Sequence, residues 1–283
     1  MIEASGAELQ AWCAIARQIG WGAAEILMDM QTNYRIESTE DGPVTTADIA
    51  SNHYILSNLQ ATFGDEFGYL SEETFKTQPP EERLQKSLVW VIDPLDGTKD
   101  YIQANGEYAV HIALVQNHRP VLAVVACPVA ETVYFAAIAQ GTFAERRNGT
   151  IQPLQVSARN QLAELTVVAS RNHRDQRFNQ LMQRLPCQRQ KQVGSIGGKI
   201  GAIVEQEADV YISLSGKSAP KDWDLAAPEL ILTEAGGQFT RFDGALLQYN
   251  QADVYQWGGL LASNGHCHEV LCTEANRLLR ELA

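Results

Sequence analysis

The sequence lacks the features of several specialised protein classes. Its five cysteines are scattered and form no CxxC pair, so a disulfide framework and a zinc–thiolate site are not expected. It also lacks basic runs: 22 Lys and Arg face 34 Asp and Glu, giving a formal charge of −12. Such a charge repels nucleic acids and anionic membranes, so neither is expected as a partner. An anionic small substrate would need local positive charge from a metal ion or a few lysines.

Long hydrophobic runs are missing as well. No stretch reaches the roughly 18 apolar residues that a membrane-spanning helix needs, and the first thirty residues have no basic segment followed by an apolar one. We therefore expect no signal peptide or membrane anchor, and a cytoplasmic protein. The sequence leaves both a monomer and a homodimer open.

The first half of the chain combines helices with a run of strands. Ser5 and Glu8 have capping-box spacing ahead of an amphipathic pattern, and a second helix is predicted from about residue 46 to 63. The apolar run at 88–92 predicts a strand buried on both faces. Alternating segments within 108–138, separated by turn residues, predict an antiparallel meander.

The second half alternates strands and helices. Strands are predicted at 165–169, 210–214 and 259–262, and helices at 175–185, 196–205, 224–235 and 268–282. Pro228 is compatible with the predicted helix at 224–235 if it lies in the first turn of that helix. The change of pattern predicts an α+β layered fold with an N-terminal metal-binding half (1–153), a C-terminal substrate-binding half (154–283) and a cleft between them.

The segment Asp93-Pro94-Leu95-Asp96-Gly97-Thr98 directly follows the predicted buried strand. Pro94 restricts the turn and Gly97 permits unusual backbone angles, so both carboxylates and the hydroxyl can point into one small volume. Close carboxylates need cations, and oxygen-only ligands favour Mg²⁺ or Mn²⁺ over zinc. The ordinary alternative is a surface turn.

Three further acidic segments accompany this one. Glu72 belongs to the acid pair of LSEE, while Asp48 and Asp224 lie at predicted helix starts. Each has an ordinary explanation, since Glu73 could be solvated and the two aspartates could merely cap their helices. One metal cluster explains all of the segments together.

These motifs resemble a known family. VTTAD, LSEE, DPLDGTKDY and WDLAAPELILTEAGG, in this order and spacing, resemble the inositol monophosphatase superfamily of lithium-sensitive, magnesium-dependent phosphatases with an αβαβα sandwich fold. DGTKDYIQANGEYAVHIALV, and GSIGGK followed by KDWDLAAPE, are most similar to its 3'(2'),5'-bisphosphate nucleotidases. The resemblance implies hydrolysis of 3'-phosphoadenosine 5'-phosphate to AMP and phosphate, within sulfur metabolism. Some of these enzymes also take the sulfated form or inositol bisphosphates.

The resemblance also implies the metal ligands. Glu72 would bind a metal ion and Asp93 would bridge two ions. The main-chain carbonyl of Leu95 would bind the first ion, and Asp96 with Asp224 the second. Asp224 is also expected to contact the substrate. Two or three Mg²⁺ ions are implied, with Mn²⁺ as a substitute.

Water activation is implied for Asp48 and Thr98. Asp48 would hold Thr98 and, through water, a weaker third ion, and the two residues would orient and deprotonate the attacking water. The main-chain N–H groups of Gly97 and Thr98 would bind phosphoryl oxygens if a helix begins there. No covalent phosphoenzyme is required.

Substrate recognition is implied for the second half. Ser170 and His173 resemble a family segment near the nucleotide, and Gly194, Ser195 and Lys199 resemble the segment that holds the ribose and the second phosphate. The alternatives are a helix cap for His173 and a solvated helix residue for Lys199.

Two other functions remain open on the sequence alone. An inositol monophosphatase or a fructose 1,6-bisphosphatase would share every metal ligand and differ only in the second half. A non-catalytic nucleotide sensor on the same fold would not need the Asp48–Thr98 pair.

Overall fold

The computed structural model describes residues 4–39, 42–171, 176–187 and 189–282. Its α-helices are α1 (Gly6–Met30), α2 (Thr46–Phe63), α3 (Pro80–Leu84), α4 (Thr98–Ile102), α5 (Gln176–Arg184), α6 (Ile196–Val204), α7 (Asp222–Glu234) and α8 (His268–Leu282). Its strands are β1 (Ile36–Thr39), β2 (Gly42–Thr45), β3 (Gly68–Ser71), β4 (Leu88–Asp96), β5 (Ala109–Gln116), β6 (Arg119–Cys127), β7 (Thr132–Ala137), β8 (Gly141–Arg146), β9 (Ile151–Leu154), β10 (Thr166–Ala169), β11 (Arg189–Gln192), β12 (Val210–Leu214), β13 (Gln238–Arg241) and β14 (Gly259–Ser263).

A seven-stranded sheet fills the first half, with strand order β3-β4-β5-β6-β7-β8-β9. Only β3 and β4 are parallel; the remaining pairs form the predicted antiparallel meander. Alternate residues of β4 enter two different cores, Trp90 packing with α1 and α2 and Val91 with α6 and α7. The sheet is therefore covered on both faces, which explains the continuous apolar run at 88–92.

A five-stranded sheet, ordered β11-β10-β12-β14-β13, forms the other sheet layer. One face shares a core with α6 and α7, and the other packs against α5 and α8. The layers thus run α1/α2, first sheet, α6/α7, second sheet, α5/α8. This is the predicted αβαβα sandwich. The division at residues 153 and 154 stays a prediction, and the α6/α7 core contains residues from both sides of it.

Helix α7 corrects one expectation. It begins at Asp222 rather than Asp224, so Pro228 lies inside the helix and not in its first turn. Proline has no N–H, so the main-chain carbonyl of Asp224 cannot accept the usual helical hydrogen bond from residue 228. A cap at Lys221, whose N–H donates to Asp224 Oδ2 at 2.6 Å, stabilises this earlier start.

Several short elements were not predicted. They are the β1–β2 hairpin, the helix α3 and the strands β3, β11 and β13. Glu72 directly follows the strand β3. In the part of the chain that is described, no helix has both the length and the apolar composition needed to cross a membrane.

Candidate active site

The end of β4 places two of the predicted carboxylates. Asp93 pairs with His111 and Asp96 with Ala109, so the register shifts between them and the strand bulges. A bulge redirects side chains out of the regular alternation. Gly97 then adopts a left-handed conformation (φ 95°), which a side chain would oppose, and α4 begins at Thr98.

Four carboxylates act on one another around this bulge. Burial raises the pKa of Asp93 well above its usual range, and Glu72, Asp96 and Asp224 raise it further. Burial and then Asp224 likewise raise the pKa of Glu72. Burial and then Asp96 raise the pKa of Asp224 to about 6. The structure therefore brings together four of the predicted ligands, and their negative charges are costly there without a cation.

The donor set fits a hard cation. All four side chains offer oxygen only, and the Leu95 carbonyl lies between Asp93 and Asp96 in the bulge. In the described ranges, no three His, Cys, Asp or Glu side chains already have coordination geometry about a single point. Ion binding would therefore need small side-chain movements, and the number of ions stays a prediction.

Asp96 is the most constrained of the four. Its Oδ2 accepts hydrogen bonds from the main-chain N–H groups of Ile196 and Gly197, at the start of α6. Burial alone would raise the pKa of Asp96, but His111, Lys199 and the Gly197 hydrogen bond lower it. Asp96 is therefore held as an anion.

Thr98 and Asp48 lie beside the carboxylates. The Thr98 hydroxyl donates to Asp48 Oδ1 (3.1 Å) or to the Leu95 carbonyl (3.3 Å). Asp48 Oδ2 accepts from the N–H and hydroxyl of Thr45, forming a capping box for α2. Asp48 therefore caps its helix and also holds Thr98. Burial raises the pKa of Asp48, against the lowering effect of the Thr45 and Thr98 hydrogen bonds.

Glu73 was expected to be a candidate for solvation, and the structure shows it half-buried. Burial and then Asp48 raise the pKa of Glu73 to about 7, against the lowering effect of Lys221. Lys221 lies over the rings of Trp223 and Tyr255, at 5.2 and 5.7 Å from the ring centroids. Glu73 and Lys221 are therefore charged residues beside the site that were not among the predicted site residues.

The predicted substrate residues are only partly assembled. Gly194 and Ser195 precede α6, where the Ser195 hydroxyl caps the helix by accepting from Gly198 N–H at 3.0 Å. Ser170 is half-buried at the end of β10. His173 lies outside the described residues. The Gly194 N–H donates to Glu107, a residue that was not predicted, at 2.8 Å.

Lys199 has different surroundings from those expected. It is 2% exposed, so the solvated alternative is wrong. Its ammonium donates to the carbonyls of Gly194 and Ser195 and lies near Tyr211. Burial lowers the pKa of Lys199 to about 8, against Asp96 and other acids that raise it. These carbonyls use two of the three ammonium protons and the side chain is buried, so direct phosphate binding stays a prediction.

Comparison with known proteins identifies the family. The model of the inositol monophosphatase family matches residues 8–280. CysQ of Salmonella typhimurium, named a 3'(2'),5'-bisphosphate nucleotidase, is 34% identical over 252 residues, covering 87% of this chain and 96% of that protein. CysQ of Escherichia coli K12 is 32% identical over 248 residues, covering 86% and 94%.

Solved structures agree with this fold. CysQ from Bacteroides thetaiotaomicron superposes with a TM-score of 0.75 at 25% identity, covering 90% of this chain and 98% of that one. The Thermotoga maritima IMPase gives 0.77 at 22% identity, covering 94% and 97%. The chain therefore belongs to the inositol monophosphatase family, as the motifs indicated, and its curated relatives of 34% and 32% identity are bisphosphate nucleotidases.

Proposed function

We propose that this chain is a magnesium-dependent phosphomonoesterase that converts 3'-phosphoadenosine 5'-phosphate to AMP and phosphate. The observation that carries the chemistry is the group of four mutually repelling carboxylates beside the Thr98–Asp48 hydrogen bond. The choice of a nucleotide substrate rests on the likeness to proteins named bisphosphate nucleotidases.

Glu72, Asp93, Asp96, Asp224 and the Leu95 carbonyl would hold the ions. Bound magnesium would neutralise phosphate charge and activate water for an in-line displacement. The Thr98 hydroxyl would orient this water when its proton is directed to Asp48 and not to the Leu95 carbonyl, since its lone pairs are then available to accept. Burial makes the Asp48 carboxylate more basic, which favours acceptance of a proton.

Because the chain is negatively charged, a phosphate substrate must either bring a cation with it or bind next to a cation that the site already holds. The chain carries −12 overall, and its buried carboxylates repel a phosphate unless ions are bound. The loop that precedes α6 borders Asp96 through the Ile196 and Gly197 N–H groups. A substrate that reaches from the bulge to this loop could place one phosphate at each end, as an adenosine bisphosphate does.

The test is phosphate release from a panel at saturating Mg²⁺, repeated with chelator and with lithium. The panel comprises 3'-phosphoadenosine 5'-phosphate, its sulfated form, inositol 1-phosphate, inositol 1,4-bisphosphate and fructose 1,6-bisphosphate. We expect preference for the adenosine compounds, loss with chelator and inhibition by lithium. Preference for an inositol or sugar phosphate would overturn the substrate. Release from none would favour the non-catalytic sensor.

Lys199 is a poor discriminator among these substrates. Because its ammonium supports the Gly194 and Ser195 carbonyls, Lys199→Ala should disturb the start of α6 for every substrate. We therefore expect comparable losses across the panel, and selective loss on the bisphosphates would show that Lys199 contacts the second phosphate.

A further inference from the structure

His111 is a fully buried residue of β5 that the sequence motifs did not single out. Its Nδ1 lies 3.3 Å from the carbonyl oxygen of Trp223, the residue before Asp224. A carbonyl can only accept, so Nδ1 carries the proton of this contact. The ring orientation is thereby fixed relative to the start of α7.

The opposite edge of the ring faces a predicted metal ligand. His111 Nε2 lies 3.2 Å from Asp96 Oδ2. Nε2 makes no hydrogen bond within the described part of the chain, and a ring that carries its proton on Nδ1 could donate to this carboxylate only if Nε2 were protonated as well. This buried nitrogen is thus directed at Asp96 alone.

Asp96 Oδ2 is the point where three segments meet. It belongs to β4, accepts from Ile196 and Gly197 at the start of α6, and faces His111 of β5. Glycine at 197 is required for this approach, because a Cβ there would lie 2.4 Å from His111 Nε2. The backbone is therefore fitted closely around the imidazole.

We propose that His111 is a positioning residue that fixes the Asp96 carboxylate for cation binding. The N–H groups of Ile196 and Gly197 hold Oδ2, and the imidazole packs against this oxygen at 3.2 Å, which limits rotation of the carboxylate. The Nδ1 contact ties the same ring to the segment that carries Asp224, so His111 sets the relative position of two ligands. The proposal rests on the metal-dependent function above.

Outer groups that orient metal ligands commonly change metal affinity by about 10–100-fold when removed. Two substitutions test the contacts of the two edges of the imidazole ring separately. His111→Gln places an amide near the Nε2 position and can still reach Asp96. His111→Asn places its amide near Nδ1 and can reach only the Trp223 carbonyl.

The readout is Mn²⁺ binding to the full chain, measured from the loss of the free-ion electron paramagnetic resonance signal. We expect His111→Asn to weaken binding by about 10–100-fold and His111→Gln to stay within about threefold of the unmodified chain. Thermal unfolding in chelator measures folding separately. The Mg²⁺ concentration for half-maximal activity should rise in His111→Asn while kcat at saturating Mg²⁺ changes less.

Equal Mn²⁺ affinity in both variants and the unmodified chain would overturn the positioning role, as would equal weakening in both. If the unmodified chain bound no Mn²⁺ or Mg²⁺, the metal-dependent function would fall, and the role of His111 with it. If Mn²⁺ bound as expected but no phosphate ester were hydrolysed, the function would fall while the role of His111 toward the cation stood.

Discussion

The Thr98 hydroxyl lies 3.1 Å from Asp48 Oδ1, although the two residues are 50 positions apart in the chain. Asp48 is in the first turn of α2, and Thr98 is the first residue of α4. Asp48 is anchored on its other oxygen by Thr45, so its position does not depend on Thr98. A substitution at Thr98 therefore tests the hydroxyl without releasing Asp48.

Thr98→Ala should lower kcat by about 10²–10⁴-fold, the usual contribution of a group that assists proton transfer. Thr98→Ser keeps the hydroxyl and should retain most of the activity. Both are measured as phosphate release at saturating Mg²⁺. Because no Thr98 side-chain oxygen is assigned to a cation, Mn²⁺ affinity should be unchanged in both. Full activity in Thr98→Ala would remove Thr98 from the mechanism.

Asp93→Asn should stabilise the metal-free chain and abolish its response to Mg²⁺. Asp93 is buried among three acids that oppose its ionisation, and an amide can still accept from Leu95 N–H as Asp93 does at 3.0 Å. A gain on the order of 1 kcal/mol would raise Tm by about 2–4 °C.

Thermal unfolding with chelator and with Mg²⁺ checks this prediction. The unmodified chain should gain stability with Mg²⁺, by about 2.7 kcal/mol at one hundred times Kd, and Asp93→Asn should not. Asp65→Asn, at an exposed position, controls for the loss of one charge. A lower Tm in chelator for Asp93→Asn alone would mean that the carboxylate stabilises the fold without a cation.

The long elements were predictable because one face of each is consistently apolar. Helix α2 ends at Phe63 as expected, and the meander follows from alternating segments with turns between them. The strands that were missed have only four residues each: β1 and β2 of the hairpin, β3, β11 and β13. Segments so short contain too few residues for a periodic pattern, and β10, of equal length, was predictable only because its residues are nearly all apolar.

The candidate site likewise has residues that were predictable from the sequence and residues that were not. The carboxylates were predictable as a group because a single metal site is the simplest explanation for several acidic motifs in one chain. His111 was not, because it lies inside an apolar strand where only the register with Asp93 shows its place. The surroundings of Lys199 were not predictable either, because the carbonyls that it binds are set by the turn before α6.

Arg119→Met should destabilise the fold by about 3–5 kcal/mol, because it leaves a buried carboxylate unpaired. Arg119 forms an ion pair with Glu229, which is fully buried and also accepts from the Tyr249 hydroxyl at 2.5 Å. Urea unfolding measures the change. Adding Glu229→Gln to Arg119→Met should recover part of the loss.

An exposed ion pair gives the control for that measurement. Arg277 pairs with Glu274 and Glu281 on the surface of α8, and Arg277→Met should leave the free energy of unfolding nearly unchanged, because water screens exposed ion pairs. Equal costs for Arg119→Met and Arg277→Met would show that Glu229 finds compensation from water or from another group.

The metal-free chain should lose stability as pH rises from about 5 to 7. Burial and then Asp48 raise the pKa of Glu73 from 4.5 to about 7, so between these values the folded state holds a proton that the unfolded state has released. The contribution is complete below pH 4.5 and is lost as pH rises to about 7. Tm in chelator, measured at intervals across this range, should therefore fall.

Glu73→Gln cannot titrate and should make that decline shallower, while Glu66→Gln, at an exposed position before β3, should leave it unchanged. Mg²⁺ should oppose the decline, because a cation stabilises the ionised carboxylates. The effect of Mg²⁺ on Tm should accordingly grow with pH. A Tm in chelator that rises between pH 5 and 7 would contradict the prediction, since it would mean that ionising the buried acids stabilises the fold without a cation.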